Sequence, residues 1–296
     1  MIAGPVAITG AKGRLGRALV GALTQMGVEV RPWSRPEFDL DKTSAADALL
    51  ERDGPTVVVH GAAWTDVDGC AREPALARRR NSDAVAELAA SCRSSGVSLV
   101  LVSTNEVFDG SRTDGAGYAV DDVARPINEY GASKLAGEQA AAAAYRDAVA
   151  EKLWIVRTSW LYGPPGADFP HKIVAAAKRV PVGESLRVVA DEFGSPTYTE
   201  DLAPAVLALI SGETPGGTYH LVNAGHTSRA GWAERILAAE RLAVPIDRIS
   251  QREFHRASSP PAWGVLDASL AASLGVALRP WEDAADDYLL RSRASR

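Results

Sequence analysis

A tyrosine and a lysine four residues apart, in the run Tyr130-Gly-Ala-Ser-Lys134, are the residues of this chain best suited to moving a proton. On a helix, positions i and i+4 share a face, so both side chains meet one ligand. A phenol at its ordinary pKa of about 10 is a weak acid at neutral pH, and a neighbouring ammonium favours the phenolate and lowers that value. Tyr130 is therefore expected to protonate a carbonyl oxygen as hydride reaches its carbon. The run Leu99-Val-Leu-Val-Ser103 reads as a strand ending at Thr104, whose hydroxyl can bond the same oxygen, with Ser103 beside the cofactor. Tyr-x-x-x-Lys alone is a frequent accident; in this order, after a glycine turn and a Ser-Thr strand end, it becomes specific.

The glycine turn is Thr9-Gly10-Ala11-Lys12-Gly13-Arg14-Leu15-Gly16, which follows the first β-rich run and opens a helix. Gly10 permits a tight turn, Gly13 lets the backbone approach a pyrophosphate, and Gly16 allows close packing. The helix N-terminus, carrying Lys12, Arg14 and Leu15, offers free amides and partial positive charge to that anion. The end of the second strand selects the cofactor: an acid binds a ribose 2′-hydroxyl, whereas an arginine accommodates a 2′-phosphate. Arg31-Pro-Trp-Ser34-Arg35 contains no acid before Glu37, which favours NADPH held by Ser34 and Arg35, with NADH as the alternative. Arg31 reads equally well as an exposed arginine. Beyond it, Asp39-Leu40 lies where Asp39 can accept from an adenine amino group.

The elements that must position these groups alternate. Strands are expected at Val6–Thr9, Val28–Arg31, Thr56–His60, Leu99–Ser103 and Leu153–Arg157, and helices at Arg14–Gln25, Ser44–Arg52, Pro74–Ser94 and Glu129–Ala150. This is βαβ order, an α/β fold with a Rossmann-type, doubly wound parallel sheet. After Tyr162 the run Gly163-Pro-Pro-Gly166 changes the texture, and elements shorten. Residues 1–160 read as the NADP-binding domain and 161–296 as a smaller α/β substrate-binding region. A helix at Thr199–Ser211 and a strand at Thr218–Val222 return part of 197–225 to the first domain. The basic run Arg78-Arg-Arg80 is a solvated helix face or a phosphate contact.

Composition narrows the class. With 32 Lys plus Arg against 37 Asp plus Glu, the 296-residue chain has a net charge of -5, which argues against nucleic acid as partner. At 46% hydrophobic and 23% charged it is an ordinary globular protein, neither disordered nor fibrous. Cys70 and Cys92 form no metal knuckle or redox pair and read as buried thiols. No signal peptide and no apolar run of about 20 residues is present, so a cytoplasmic protein without a membrane partner is expected. Oligomeric state, monomer or homodimer, is not legible.

These motifs together resemble those of the extended short-chain dehydrogenase/reductases, and within them the chain is similar to the dTDP-4-dehydrorhamnose reductases. The resemblance spans nearly the whole length: Gly10 to Gly16; Ala62-Ala63-Trp64-Thr65-Asp66-Val67-Asp68; Ser103-Thr104 with Val107-Phe-Asp-Gly110; Tyr130 to Glu138; Arg157-Thr-Ser-Trp160-Leu-Tyr162; Gly194-Ser-Pro-Thr197; and Gly217-Thr-Tyr-His220. It implies reduction of the C4 keto group of a dTDP-linked 4-keto-6-deoxy sugar by NADPH, with Thr104, Tyr130 and Lys134 catalytic and Lys134 also on the nicotinamide ribose. Ala62, Ala63 and Thr65 would line the cofactor, Asn81 would support the site from its helix, and Thr104, Asn105, Glu106 and Trp160 would face the sugar. Trp160 as core and Asn81 as an exposed helix residue are the plainer alternatives.

Departures from the family pattern carry information. His60-Gly61-Ala62-Ala63 replaces the usual Asn-Ala-Ala, and Asn105-Glu106 replaces Asp-Tyr. Related 4,6-dehydratases carry Asp-Glu there, and an amide cannot act as their acid, which disfavours elimination of water. Asp168 stands where an Asn is common and would repel a diphosphate unless it points away. Near the C-terminus, Ser259 to Asp267 lacks the usual Arg and Ser, leaving the substrate open. Asp191 or Glu192 could be invoked for the magnesium that some such reductases use, but nothing fixes a ligand set and no metal site is expected. The competing readings are another extended short-chain reductase or epimerase with a different substrate, and a non-catalytic NADP-binding regulatory subunit.

Overall fold

The computed structural model describes residues 2–42, 45–147, 152–212 and 214–294. Val6-Ala-Ile-Thr9 is buried along its whole length, and its side chains alternate: Val6 and Ile8 join one apolar cluster, Ala7 another. A strand of this kind must lie inside a sheet covered on both faces. It is β1 (Val6–Thr9), followed by α1 (Arg14–Gln25), β2 (Val30–Trp33), α2 (Ala46–Asp53), β3 (Val57–His60), α3 (Val67–Arg72), α4 (Pro74–Arg78), α5 (Ala84–Ser94), β4 (Ser98–Thr104), α6 (Glu129–Ala144) and β5 (Leu153–Thr158). Next come β6 (Leu161–Tyr162), α7 (Phe169–Ala177), β7 (Leu186–Val189), β8 (Phe193–Gly194), β9 (Thr197–Tyr198), α8 (Thr199–Ser211) and β10 (Gly217–His220). The remainder is β11 (Thr227–Ser228), α9 (Arg229–Ala239), β12 (Ile246–Ile249), α10 (Ser269–Ser273) and α11 (Trp281–Ala294).

Six strands pair in the order β10-β5-β4-β3-β1-β2, all parallel. The chain runs outward from β1 to β2 and then crosses to β3, so the order reverses between β1 and β3. A crevice opens at the carboxyl ends of strands at such a switch point. The doubly wound α/β fold is thus present, with a chain segment from beyond residue 197 supplying both α8 and the sixth strand.

Several expected elements differ in extent; the strand expected at Thr218–Val222 spans Gly217–His220, and three others differ more instructively. The second strand begins at Val30 rather than Val28, because Val28 is used to close α1: Gly27, at φ 70°, and Val28 bond back to the Thr24 and Leu23 carbonyls. That shift places Trp33 on the strand, fully buried. The helix expected at Pro74–Ser94 is interrupted by a π turn over Arg79–Asp83, which brings Asn81 inward. The helix expected to reach Ala150 ends at Ala144; residues 148–151 lie outside the described residues, as does Ser44 at the expected start of α2. Among the described residues, no helix is long and apolar enough to cross a membrane. Cys70 and Cys92 are buried free thiols.

Beyond the sheet, a third cluster gathers Tyr162, Tyr198, Trp232 and Tyr288 with the apolar faces of α7, α9 and α11. The rings touch directly: Tyr162 stacks on Tyr198 at 5.4 Å and meets Trp232 and Tyr288 edge-on. This aromatic block holds short strands too small to cohere by themselves.

Candidate active site

The cradle begins at β1. Gly10 has φ 66°, and a Cβ on it would meet the Ala62 backbone at 3.0 Å; a Cβ on Gly16 would collide with the Gly10 carbonyl. Gly13 precedes α1 with no side-chain cap, so the first amides of α1 have no side-chain acceptor. At the end of β2, Ser34 Oγ is buried without a partner, an orphan that a ligand oxygen would satisfy. Arg31 turns aside to Glu29 at 2.6 Å, whereas Arg35 makes no ion pair among the described residues. Arg80 is held in a bidentate pair by Asp41 at 2.7 and 2.8 Å, and its guanidinium sits 5.3 Å over Trp64.

From this cradle a cavity of about 870 Å³ runs across the carboxyl ends of the strands. Its cofactor end is lined by Gly10, Lys12, Gly13, Arg14 and Leu15, by Ser34, Arg35, Asp39 and Leu40, and by Ala62, Ala63 and Thr65. Its far end is lined by Ser103, Thr104, Asn105 and Glu106, by Tyr130 and Lys134, and by Trp160. Every expected site residue except Gly16 therefore borders one space, and Gly16 shapes the turn from behind. Arg14 does a second job, since it donates to the Gly163 and Gly166 carbonyls at 2.8 and 3.1 Å and so fastens the proline-rich turn to the cradle.

Tyr130 and Lys134 rise from the first turns of α6. Asn128 caps that helix, accepting from Gly131 N at 2.8 Å while donating to Glu106 Oε2 at 2.7 Å. Asn81, far from exposed, accepts from Trp64 N at 2.8 Å and donates to Trp64 O and to Ser133 Oγ, which in turn donates to Tyr130 O. This chain of bonds fixes the wall at Trp64 relative to the helix that carries Tyr130. Lys134 is buried with Nζ on the Val102 carbonyl at 2.7 Å, and burial pulls its ammonium down to about 8. The phenol departs from expectation: burial and the nearby Glu106 charge push its pKa up, and only a hydrogen bond with Thr104 pulls the other way. With Lys134 turned to Val102, its ammonium does not lower the phenol here, and burial keeps Tyr130 in its neutral form.

Other expected residues take the following positions. Trp160 is both core and wall: at φ 45° it stacks on Trp232 at 6.0 Å, carries the Arg229 guanidinium 3.6 Å over its ring, and still borders the cavity. Arg229 itself pairs with buried Glu192 at 2.7 Å. Asp168 points away from the cavity. It caps α7 and accepts from Gly163 N at 3.0 Å, Tyr288 Oη at 2.7 Å and the His171 backbone amide; although burial pushes its carboxyl up, these bonds hold it below the usual range. Asn105 donates to the Gly264 carbonyl at 3.1 Å, tying the 259–267 segment behind the site. Asp191 accepts from Gln251 N, and no cluster able to hold a metal ion occurs among the described residues.

Arg229, Thr158, Ser159 and Trp64 border the cavity without having been singled out from sequence. Thr158 and Ser159 lie at the carboxyl end of β5, within the family-like run Arg157 to Tyr162, and the switch-point rule also points to them. Arg229 follows a two-residue strand and carries no sequence signal.

The nucleotide-type cradle, together with a hydroxyl, a phenol and a buried lysine at one cavity end, defines the class of extended short-chain dehydrogenase/reductases. Within it, residues 5–294 match the family described as the RmlD substrate binding domain, and the chain belongs to that family. It is 36% identical over 287 residues to a dTDP-4-dehydrorhamnose reductase of Streptomyces griseus, covering 94% of this chain and 90% of that one. Among solved structures, a dTDP-4-dehydrorhamnose reductase of Clostridium acetobutylicum superposes with a TM-score of 0.90 at 32% identity, covering 98% and 99% of the two chains. The enzyme of that name from Bacillus anthracis, in complex with NADP, gives 0.89 at 32% identity over 97% and 99%.

Proposed function

We propose that the protein reduces the C4 keto group of a dTDP-linked 4-keto-6-deoxy sugar with NADPH. The observation that carries this reading is the joining of Thr104, Tyr130 and Lys134 to the glycine cradle in one cavity, in a chain of the reductase family. The cradle fits a phosphorylated dinucleotide: Gly10 and Gly13 leave room for the pyrophosphate, and orphaned Ser34 Oγ with unpaired Arg35 meets a 2′-phosphate. When bound there, the cofactor supplies the hydride.

The chain's own residues do the rest. Thr104 and Tyr130 bond the sugar's carbonyl oxygen, and Tyr130 gives it a proton as negative charge develops. Lys134, which lines the same cavity, would hold the nicotinamide ribose. Residues 1–160, completed by part of 197–225, serve the cofactor, and 161–296 serve the sugar through Trp160 and Arg229. Asn105, turned to Gly264, supplies no acid for dehydration. On this reading the protein acts in the cytoplasm, as monomer or homodimer.

A panel of dTDP-4-keto-6-deoxyhexoses with the purified protein tests the reading: NADPH oxidation with at least one sugar is expected, and none with a folded protein contradicts it. Arg35→Ala should raise KM for NADPH about tenfold or more, the loss of roughly 1.4 kcal/mol or more expected for a charged hydrogen bond, while leaving NADH nearly unaffected.

A further inference from the structure

Glu106 is not needed to deliver hydride or the Tyr130 proton, yet it stands in the same cavity end. Its backbone amide donates to Thr104 Oγ1 at 3.2 Å, which fixes the carboxylate two residues from the hydroxyl that meets the substrate carbonyl. Asn128 holds Oε2 at 2.7 Å from the cap of the helix that bears Tyr130, and no cation pairs with this carboxylate among the described residues. The main chain at Glu106 is thus tied to Thr104, and the carboxylate is held against the start of the helix that carries Tyr130.

We propose that Glu106 is a carbon base: it removes the proton from a carbon adjacent to the bound keto group and returns one, so that the protein catalyses hydrogen exchange at C3 or C5 of the 4-keto sugar. The inference rests on the substrate class proposed above, a dTDP-linked 4-keto-6-deoxy sugar, and not on hydride transfer to it. In the step, the C–H electron pair becomes the C=C bond of an enolate, the carbonyl pair moves to oxygen, and the proton passes to the Glu106 carboxylate. Thr104 and Tyr130 bond the oxyanion, and reversal restores the ketone with a solvent-derived proton. No oxidant, reductant or leaving group takes part. A carboxylate beside a preorganised oxyanion site is the arrangement that makes such protons removable at neutral pH.

The surroundings favour a base active near neutrality. Burial raises the Glu106 pKa to about 6; the Asn128 bond lowers it, Glu192 raises it, and the charges of Arg229 and Arg256 lower it. Tyr130 and Cys70 also face it, the thiol itself pushed up to about 11 by burial and so uncharged. A carboxylic acid there accepts protons from carbon only when ionised, so exchange should rise as pH increases through about 6.

The experiment incubates the whole protein with NADP+, which cannot supply hydride, and each dTDP-4-keto-6-deoxyhexose in D2O, following mass gain and its position by NMR. Deuterium at C3 or C5 above the protein-free rate, rising through pH 6, is expected. Glu106→Gln should lower exchange about 100-fold or more while reduction with NADPH falls by a smaller factor. Reduction without exchange by the wild-type protein, or exchange that persists in Glu106→Gln, overturns the inference and leaves the reductase reading standing. Exchange without reduction keeps the inference and removes that reading, and neither reaction with any sugar removes both.

Discussion

Among the described residues, two arginine–glutamate pairs bury their carboxylates, Arg157–Glu138 and Arg229–Glu192, and they differ in how far the arginine is covered. Arg157 at the end of β5 meets Glu138 on α6 through three contacts of 2.7, 3.1 and 3.2 Å, with side chains only 8% and 4% exposed. It lies behind the sheet, with the guanidinium 5.2 Å over Phe108, and joins a strand to the helix that carries Tyr130 and Lys134. Arg229–Glu192 binds the short strands of the other half, but Arg229 remains 23% exposed, covers Trp160 and borders the cavity. The first pair is nearly sealed from water and fixes α6 against β5. The second leaves its guanidinium partly exposed on the cavity wall. A buried pair thus reports structure or function according to whether its cation still sees the cavity.

Changes of decreasing effect test this division. Tyr130→Phe should lower kcat about 1,000-fold while the Kd for NADPH, by fluorescence titration, moves less than about threefold, because only proton delivery is lost. Glu138→Gln leaves a guanidinium buried without its counter-ion and should cost about 3–5 kcal/mol in urea unfolding. Glu192→Gln should cost less than half of that, because Arg229 retains contact with water, but should raise KM for the nucleotide sugar. Equal stability losses with unchanged KM would erase the distinction between the pairs.

Acid stability probes the cofactor half. Burial pushes His60, bonded to Thr9 Oγ1 at 2.8 Å, from 6.5 down to about 3. Between those values the unfolded chain takes up a proton that the folded chain refuses, so stability falls as pH drops below about 6.5, by roughly 2 kcal/mol at pH 5. His60→Asn should flatten the decline of Tm between pH 7 and 5. The smallest effect concerns the contact between halves, where Arg256 reaches Asp68 at 3.3 Å and Asp68 accepts from Ser258 N. Arg256→Ala should change stability by under about 1 kcal/mol, read by the same unfolding assay.

What could be read from the chain follows the range of the interaction. The Gly10–Gly16 turn, the Tyr130–Lys134 pair and the strand ends at Thr104 and Ser34 are local patterns with a period, and their spacing alone brought them to one cavity. The two-residue shift of β2 came from a helix cap at Gly27 and Val28 that alternation does not register. Asn105 bonding Gly264, 159 residues away, and Tyr288 closing on Asp168, 120 residues away, depend on tertiary placement that no local period encodes. Arg229 belongs to the same set. Even at a legible position the chemistry shifted: Lys134 was expected to lower Tyr130, and burial of both groups reverses the outcome.

The central claim is that the cavity transfers hydride to a sugar carbonyl. NADPH carrying deuterium at the transferring position of the nicotinamide, supplied with the dTDP-4-keto-6-deoxyhexose that supports oxidation, tests it in one reaction. The account predicts a product with one deuterium bound to sugar C4 and none of it when Tyr130→Phe replaces the wild-type protein. Consumption of NADPH without deuterium at C4 would contradict it.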